Sequence, residues 1–446
     1  MKIIIAGAGA VGTHLAKLLS GEKQDIILID ENEERLARVG NNFDLLTVNL
    51  SPTSIEGLKE AGVAGADLFI AVTPNESCNM TACMIATRLG AKKTVARIDN
   101  YEYLQPRHKE FFASLGVDSL IYPEMLAARD IVDAVRMSWI RQWWEFAGGD
   151  LVLLGTKLRA SAEILNVPLH ELGGRNIPFH IVAIKRGNET IIPRGDDYIR
   201  ANDIVYFTTT KKYIPYIRKI SGKEHYADIR NVMIMGGSRI AVRAAQYMPD
   251  YMRTKIIELD LNRCHRLTEL VDDHVMVING DGRDMELLNE EGIRNTEAFV
   301  ALTDSSETNI LACLAAKRMG VTKTVAEVEN IDYISMAESL DIGTVINKKF
   351  IAASHIYQMM LDADVSNVKC LTFANADVAE FTVKAGSLIT RCAVKDVGLP
   401  KGATIGGLIR GGEGILVNGN TVIQENDHVV VFCLGMMIKK LERYFN

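Results

Sequence analysis

The sequence predicts an α/β chain: a doubly wound parallel-sheet domain followed by a small α+β domain, with the pair repeated in tandem. Three observations predict it. The chain opens on "IIIAGAGAVG", residues 3–12, an apolar strand running into a Gly-x-Gly-x-x-Gly turn, so the large domain reads as Rossmann-like. Short, continuous apolar runs then alternate with helical patterns, as expected of parallel strands covered on both faces. Finally, the whole arrangement occurs a second time further along the chain.

In the first large domain the apolar runs lie at 3–6, 26–29, 45–48, 68–72 and 94–98, with a further strand near 119–121. Helical patterns fall at 10–20, 32–40, 54–61, 76–90 and 100–115. Alternating strand and helix implies right-handed crossovers and a parallel sheet. Pro123 suits a helix N-terminus, and 124–141 reads as a long connecting helix that ends in Trp139, Trp143 and Trp144. These tryptophans could anchor the core or form an interface patch. The small domain starts near Gly148-Gly149. It reads "FHIVAIKRGNETIIPRG" as strand, Gly187-Asn188 turn, strand, and "RANDIVYF" as a turn and a further strand. The polar stretch 219–231, broken by Gly222, closes it.

The duplication is explicit. "ADLFIAVTPNESCNMTACMIATRLG" begins at Ala66, and "TEAFVALTDSSETNILACLAAKRMG" begins 230 residues later at Thr296. Thr73 then matches Thr303, Asn79 matches Asn309, Cys83 matches Cys313 and Gly90 matches Gly320. "IIIAGAGAVG" matches "VMIMGGSRIA" at 232–241, and "RGNETIIPRGDDYIRANDIVYF" from Arg186 matches "RGGEGILVNGNTVIQENDHVVV" from Arg410. The expected domains are 1–122, a crossover helix 123–144, 145–225, then 228–347, a second crossover helix 348–366, and 367–446.

The glycine turn proposes a bound dinucleotide. Gly7 permits the tight turn, Gly9 lets the backbone approach a pyrophosphate, and Gly12 lets the helix pack closely on the strand. With Ala8, Ala10 and Val11 they form a loop whose amides and helix dipole face phosphate. Asp30 ends "IILID" 21 residues after Gly9 and is placed to accept from ribose hydroxyls. Glu31, Asn32 and Glu33 follow, with no adjacent base for a 2′-phosphate, which disfavours NADP. The carboxyl ends of the other strands rim the same cleft: Asn49, Leu50 and Ser51, then Thr73, Pro74 and Asn75, then Arg97. Asn49 is placed to face an adenine edge, Thr73 a ribose and Arg97 a phosphate. The second copy is altered. Gly236 and Gly237 remain, Ser238 replaces the second glycine, Ala241 the third, and Arg239 stands where Ala10 stands. Asp260 is matched to Asp30 and Thr303 to Thr73. Asp281 and Asp304 are added carboxylates, and Glu327 takes the place of Arg97. This cleft is expected either to bind a differently charged nucleotide or to be held shut by an Arg239–Glu327 pair.

Composition narrows the function. The chain has 446 residues, 48% hydrophobic and 24% charged, with net charge −6 and no basic run interleaved with aromatics, which argues against nucleic acid. Seven scattered cysteines without a Cys-x-x-Cys pair fit a reducing cytoplasm and no metal site. The N-terminus is itself a strand, which argues against a cleaved signal peptide, and no apolar stretch approaches the ~20 residues that span a bilayer. The nine histidines show no metal-ligand spacing; His14, His170 and His180 are expected at the surface or in caps. No nucleophile elbow or other catalytic constellation accompanies the nucleotide turn.

The double order of glycine-turn domain, "ADLFIAVTPNESCNM", "VARI", crossover helix and a small module ending "IIPRGDDYIRANDIVYF" resembles the tandem RCK (also called KTN) family of regulatory proteins in bacterial Trk potassium uptake. The resemblance covers essentially the whole chain. It implies a non-enzymatic subunit, cytoplasmic and peripheral on the inner face of the cell membrane. Its partner would be a membrane potassium-translocating subunit of the TrkH/TrkG type. It also implies assembly into a ring, as a homo-tetramer, and NAD(H) as the ligand, with ATP or ADP as the alternative. In this sequence Gly7, Gly9 and Asp30 match the family's nucleotide pattern, and Thr73 and Arg97 stand at its contact positions. Two rival readings are an NAD-dependent oxidoreductase and the same switch acting on another cation transporter.

Overall fold

A computed structural model describes the chain except for residues 21–23, 147–149, 173–176, 188, 227, 361–364, 372–375 and 435–436. The expected boundary at Gly148-Gly149 and the Asn188 half of the Gly187-Asn188 turn lie outside the described residues. The chain forms two bodies: Met1–Leu126 with Lys348–Ala363, and Ala127–Asn347 with Asp364–Asn446.

The first body is built on a six-stranded sheet of β1 (Lys2–Ala6), β2 (Asp25–Asp30), β3 (Leu46–Asn49), β4 (Leu68–Ala71), β5 (Thr94–Arg97) and β6 (Ser119–Ile121). The order is β3-β2-β1-β4-β5-β6, with every pairing parallel. Strand order therefore reverses direction between β1 and β4, and a crevice opens beyond their carboxyl ends. Ile3, Ile4 and Ile5 are fully buried, as continuous apolar strands under two helical layers must be. The helical pattern over 100–115 breaks in two. A 3₁₀ turn, Tyr101–Leu104, stops at Gln105, and a helix, Pro106–Ser114, begins with the proline at its first position. Proline forces the residue before it out of helical geometry.

Helix Lys348–Met360 belongs to this first body. It packs against the glycine-turn helix Ala10–Ser20, with the His14 and Phe350 rings 4.0 Å apart. His14 is therefore not the surface group the sequence suggests. Burial, then Lys17, push its imidazole down to about 4.

The second body holds three sheets. The first comprises β7 (Gln142–Phe146), β8 (Leu151–Lys157), β9 (Phe179–Arg186), β10 (Glu189–Ile191) and β11 (Ile204–Thr210), antiparallel in the order β10-β9-β11-β8-β7. The connecting helix ends at Arg136, not 141, and "QWWEF" is β7. Aromatic residues suit a half-buried pleated strand. The alternation of a strand sends Trp143 and Trp144 to separate apolar clusters, while Trp139 is buried beside Trp143.

The second parallel sheet comprises β12 (Asn231–Met235), β13 (Arg253–Glu258), β14 (Val275–Asn279), β15 (Ala298–Ala301), β16 (Lys323–Glu327) and β17 (Thr344–Ile346). It repeats the first order as β14-β13-β12-β15-β16-β17. The last sheet comprises β18 (Val365–Leu371), β19 (Ala376–Thr382), β20 (Ala403–Arg410), β21 (Glu413–Ile415) and β22 (His428–Leu434), in the order β18-β19-β22-β20-β21. The two small domains share one core, in which Phe146, Leu153 and Val182 meet Val378, Val430 and Phe432. Gly406 permits the approach: a Cβ there would lie 2.7 Å from the Phe432 ring and 3.0 Å from Thr208 Cγ2, and Thr208 donates to the Gly406 carbonyl at 2.8 Å. The repeated turn has a common device. Asp203 takes Nε and Nη2 of Arg186, and Asp427 takes the same atoms of Arg410; each aspartate also caps its own turn amide, from Arg200 and Gln424.

The first small domain also meets the second parallel-sheet domain through charge. Asp341, in left-handed backbone at φ 55°, accepts from Arg141, from Lys157 at 3.0 Å and from Arg159 at 2.7 Å, with Lys317 at 3.5 Å. Beside it, the buried Lys323 donates to the Ile140 carbonyl and to Thr344 Oγ1. Burial first, then Arg141 and Lys223, push its ammonium down to about 7. An unfolded lysine keeps its proton to about pH 10.4. Between these values the unfolded chain binds the extra proton, so stability rises with pH. The urea midpoint is expected to climb from pH 7 to pH 9, by at most about 1.4 kcal/mol per pH unit for this proton. Lys323→Met should remove this proton's share of the slope.

Candidate functional site

The first cleft is set by β1. Ile3 to Ala6 fix the strand, and Gly7 leaves it at φ 112°, its amide bonded to the Ile29 carbonyl at 2.8 Å. A side chain at Gly12 would put its Cβ 1.9 Å from the Gly7 carbonyl oxygen, so this glycine fixes how closely helix Ala10–Ser20 sits on the strand. Gly9 is different: nothing lies within 4 Å of where its Cβ would be. The turn is thus tight where helix meets strand and open where a phosphate would approach, and the helix starting at Ala10, with Val11 next, aims free amides at that opening.

Asp30 sits at the end of β2 with 9% exposure. Its Oδ2 accepts from the Ala8 amide at 2.6 Å and its Oδ1 from the Asn32 amide at 2.8 Å. A carboxylate has about four acceptor positions, so capacity remains for ribose hydroxyls. Asn49 donates to the Asp30 carbonyl at 3.2 Å, as does the Leu50 amide, and Ser51 lies 3.3 Å from Thr53. These groups brace the β2–β3 rim. Thr73 is held by Asn79, whose Oδ1 takes the Thr73 amide at 2.9 Å and its hydroxyl at 2.6 Å. Pro74 follows, and Asn75 caps helix Glu76–Leu89 by accepting from the Cys78 amide. Arg97 donates to the Thr73 carbonyl at 3.3 Å and to Asp99 at 3.0 Å, with Glu124 at 4.0 Å.

Sequence reasoning missed the residue that joins these strands. Asn79 is fully buried, and its Nδ2 donates to the carbonyls of both Thr73 and Arg97. Asn309 repeats every one of these bonds with Thr303 and Glu327. A polar residue kept inside a helix at matching places in both halves was the available signal.

The second cleft corrects one pairing. Asp260 is not the counterpart of Asp30. It is the N-cap of helix Leu261–Leu270, accepting from the Arg263 amide, a bond that lowers its carboxyl below the ordinary range. Glu258, the last residue of β13, takes the Asp30 role: its Oε2 accepts from the Gly237 amide at 2.7 Å and its Oε1 from the Asp260 amide at 2.8 Å. The longer acid requires a smaller neighbour. A Cβ at Gly237, where the first copy has Ala8, would lie 3.0 Å from Glu258 Oε2 and 2.4 Å from Leu267 Cδ1. The pair Ala8 and Asp30 has become Gly237 and Glu258.

Gly236 keeps its positive φ of 97°, and Ser238 caps helix Arg239–Tyr247 by accepting from the Ala241 amide. Arg239 is the first residue of that helix, and Glu327 is buried at the end of β16. The second cleft is not shut. A cavity of about 330 Å³ opens between Gly236–Ser238, Glu258, Arg263, Asp281, Arg283 and Thr303-Asp304. That is within the ~300–1,000 Å³ of small-molecule sites. Asp281 is not a bare added carboxylate: Arg283 bonds both its oxygens, at 2.9 and 2.7 Å, and holds it below the ordinary carboxyl range.

Among the described residues no group of three His, Cys, Asp or Glu could hold a metal ion, and no helix is long and apolar enough to cross a membrane. Comparison with known proteins decides the family. The TrkA-N domain matches residues 3–123 and 232–348, and the TrkA-C domain matches 157–222 and 378–446. The chain belongs to the TrkA family. It is 33% identical over 444 residues to the Trk system potassium uptake protein TrkA of Vibrio alginolyticus, covering 98% of this chain and 96% of that protein. It is 32% identical over 453 residues to the TrkA of Halomonas elongata, covering 100% and 98%. Among solved structures, the GsuK RCK domain aligns with a TM-score of 0.61 at 15% identity, over 100% of this chain and 94% of that one. A GsuK channel bound to NAD aligns at 0.60 and 15%, over 100% and 78%. At this identity the likeness carries the fold, a tandem of RCK units. It agrees with the duplication read from the TrkA-type sequence.

Proposed function

We propose that this chain is a regulatory subunit of Trk potassium uptake that senses a nucleotide, NAD(H) or ATP/ADP, in its parallel-sheet domains. It acts at the cytoplasmic face of the membrane, as a homo-tetrameric ring, on a potassium-translocating subunit of the TrkH/TrkG type. The observation that carries the reading is the first glycine turn: open at Gly9, closed at Gly12, with the Asp30 carboxylate held on the Ala8 amide. Such a turn fits a pyrophosphate at the helix N-terminus and a ribose at the acid. The TrkA relatives are potassium uptake proteins by name, and a channel of the same fold has been solved with NAD.

The mechanism is linkage. A nucleotide shifts a two-state ring only by the difference in its affinity for the two states. The glycine-turn helix is the element that closes on phosphate, and helix Lys348–Met360 packs against it. Closure at the turn therefore acts on a crossover helix, and the ring transmits the change to the channel subunit.

Calorimetric titration of the full chain with NAD, NADH, ATP and ADP, alongside measurement of ring size, tests this. At least one ligand should bind and alter the assembly. Asp30→Ala, checked for native circular dichroism, should weaken binding at the first cleft about 10- to 100-fold, the worth of hydrogen bonds to a charged acceptor. Absence of binding by all four at millimolar concentration would sink the reading.

A further inference from the structure

The junction around Asp341 contains more positive charge than it uses. A separate cavity of about 50 Å³ lies there, sharing no lining residue with the nucleotide cleft of the second half. Six cations line it: Arg141, Lys157, Arg159 and Lys223 from the first small domain, Lys317 and Lys323 from the second parallel-sheet domain. Among the described residues that line it there is no carboxylate. Asp341 approaches from outside the cavity and engages four of the six, Arg141, Lys157, Arg159 and Lys317. Among the described residues Lys323 and Lys223 make no ion pair: the first bonds the Ile140 carbonyl and Thr344 Oγ1, the second the Tyr226 hydroxyl at 2.9 Å. Lys223 and Lys323 are each only 4% exposed.

Burying like charges together is costly unless an anion compensates them. Lys157 and Lys223 are, like Lys323, held below the ordinary lysine range, by burial first and in part by neighbouring cations. A water needs about 10–15 Å³ of such space, so the cavity has room for several waters or one small tetrahedral oxyanion. The donors suit the oxyanion. Two guanidiniums offer planar pairs of N–H groups, and four ammoniums converge from the two domains.

We propose that this cavity is a binding site for a single tetrahedral oxyanion of the phosphate class, gripped by Arg141, Lys157, Arg159, Lys223, Lys317 and Lys323, with Asp341 as its built-in competitor. An oxyanion carrying more charge than a carboxylate takes donors from Asp341. Asp341 belongs to the second parallel-sheet domain, and three of its partners to the first small domain. Occupancy therefore exchanges a direct contact between the domains for one bridged by the ligand, and so resets their junction. The site is independent of the nucleotide reading above.

The test uses the full chain in chloride buffer at fixed ionic strength, titrated with inorganic phosphate by calorimetry and by thermal unfolding. Saturable binding and a raised midpoint are expected. Asp341→Asn, which removes the competitor, should bind phosphate at least tenfold more tightly and gain more in midpoint than the wild type. The double variant Arg159→Ala, Lys157→Met should weaken binding at least tenfold, and it serves if Asp341→Asn does not fold. A parallel ATP titration separates the two sources of the chemistry. ATP binding weakened by the double variant would put a nucleotide's phosphoryl group in the cavity, whereas ATP binding unchanged beside weakened phosphate binding would make the ligand free phosphate. No phosphate binding by wild type or Asp341→Asn, or phosphate binding that the double variant leaves unchanged, would overturn the proposal.

Discussion

Gly12→Val should unfold at clearly lower urea than the wild type and lose nucleotide binding in the first cleft. The new Cβ would lie 1.9 Å from the Gly7 carbonyl oxygen and 3.1 Å from its carbon. Neither atom can give way cheaply. Gly7 is fixed by its amide bond to Ile29 and by its φ of 112°, and Thr73 N lies 3.0 Å from where its own Cβ would be. Helix Ala10–Ser20 must lift off β1 instead. Overpacking costs about 1–3 kcal/mol and sometimes more. A clash with backbone rather than a flexible side chain puts Gly12→Val at the upper end. Lifting the helix also moves the amides that would face phosphate. The midpoint at unchanged urea slope gives the first quantity, and an NAD titration gives the second. The second cleft supplies the control, because Ala241 occupies the matching position and is fully buried there. Ala241→Gly should cost only about 1 kcal/mol, the propensity difference within a helix. Equal losses at the two positions would show that the clash is not the cause.

Asp341→Ala is the second large effect expected. It leaves Arg141, Lys157, Arg159 and Lys317 facing one another without their carboxylate. Breaking one partner out of a buried ion pair costs about 3–5 kcal/mol. Asp341 keeps 23% exposure, which lets water and salt screen the remaining cations. A loss of about 3 kcal/mol, at the low end of that range, is therefore expected in phosphate-free buffer. The loss should shrink as salt rises, because the repulsion it releases is screened. A loss below about 0.5 kcal/mol, the size of an ordinary surface substitution, would mean that the cluster is solvated and holds nothing together.

The sheet order and the first glycine turn were legible because they rest on local signals. Continuous apolar runs mark buried parallel strands, and only glycine fits at 7 and 12. Glu258 was not legible. Matching aspartate to aspartate picks Asp260, but what puts a carboxylate on the turn is its place at the end of a strand, and β13 ends at Glu258. Residue identity and strand register pointed to different positions, and register decides. "QWWEF" misled for a related reason. Residues 124–141 continue an apolar helical pattern, and nothing in the local sequence marks Arg136 as its last residue. The basic cluster has no local signature at all. Its six members are scattered from 141 to 323, and only the packing of one domain's strands against the next domain's loop brings them together.

The sequence repeat invites a cut near residue 225, giving two half-proteins to be studied one at a time. Helix Lys348–Met360 forbids that simple dissection. It is encoded in the second half, yet it packs on the helix that opens the first half's glycine turn. A fragment ending at 225 would expose the His14 face of that helix to water, and a fragment beginning there would carry a crossover helix with its packing partner removed. The two copies therefore form one interlocked unit. A change in the Phe350 helix is a change to the first cleft, although more than 300 residues of chain separate them.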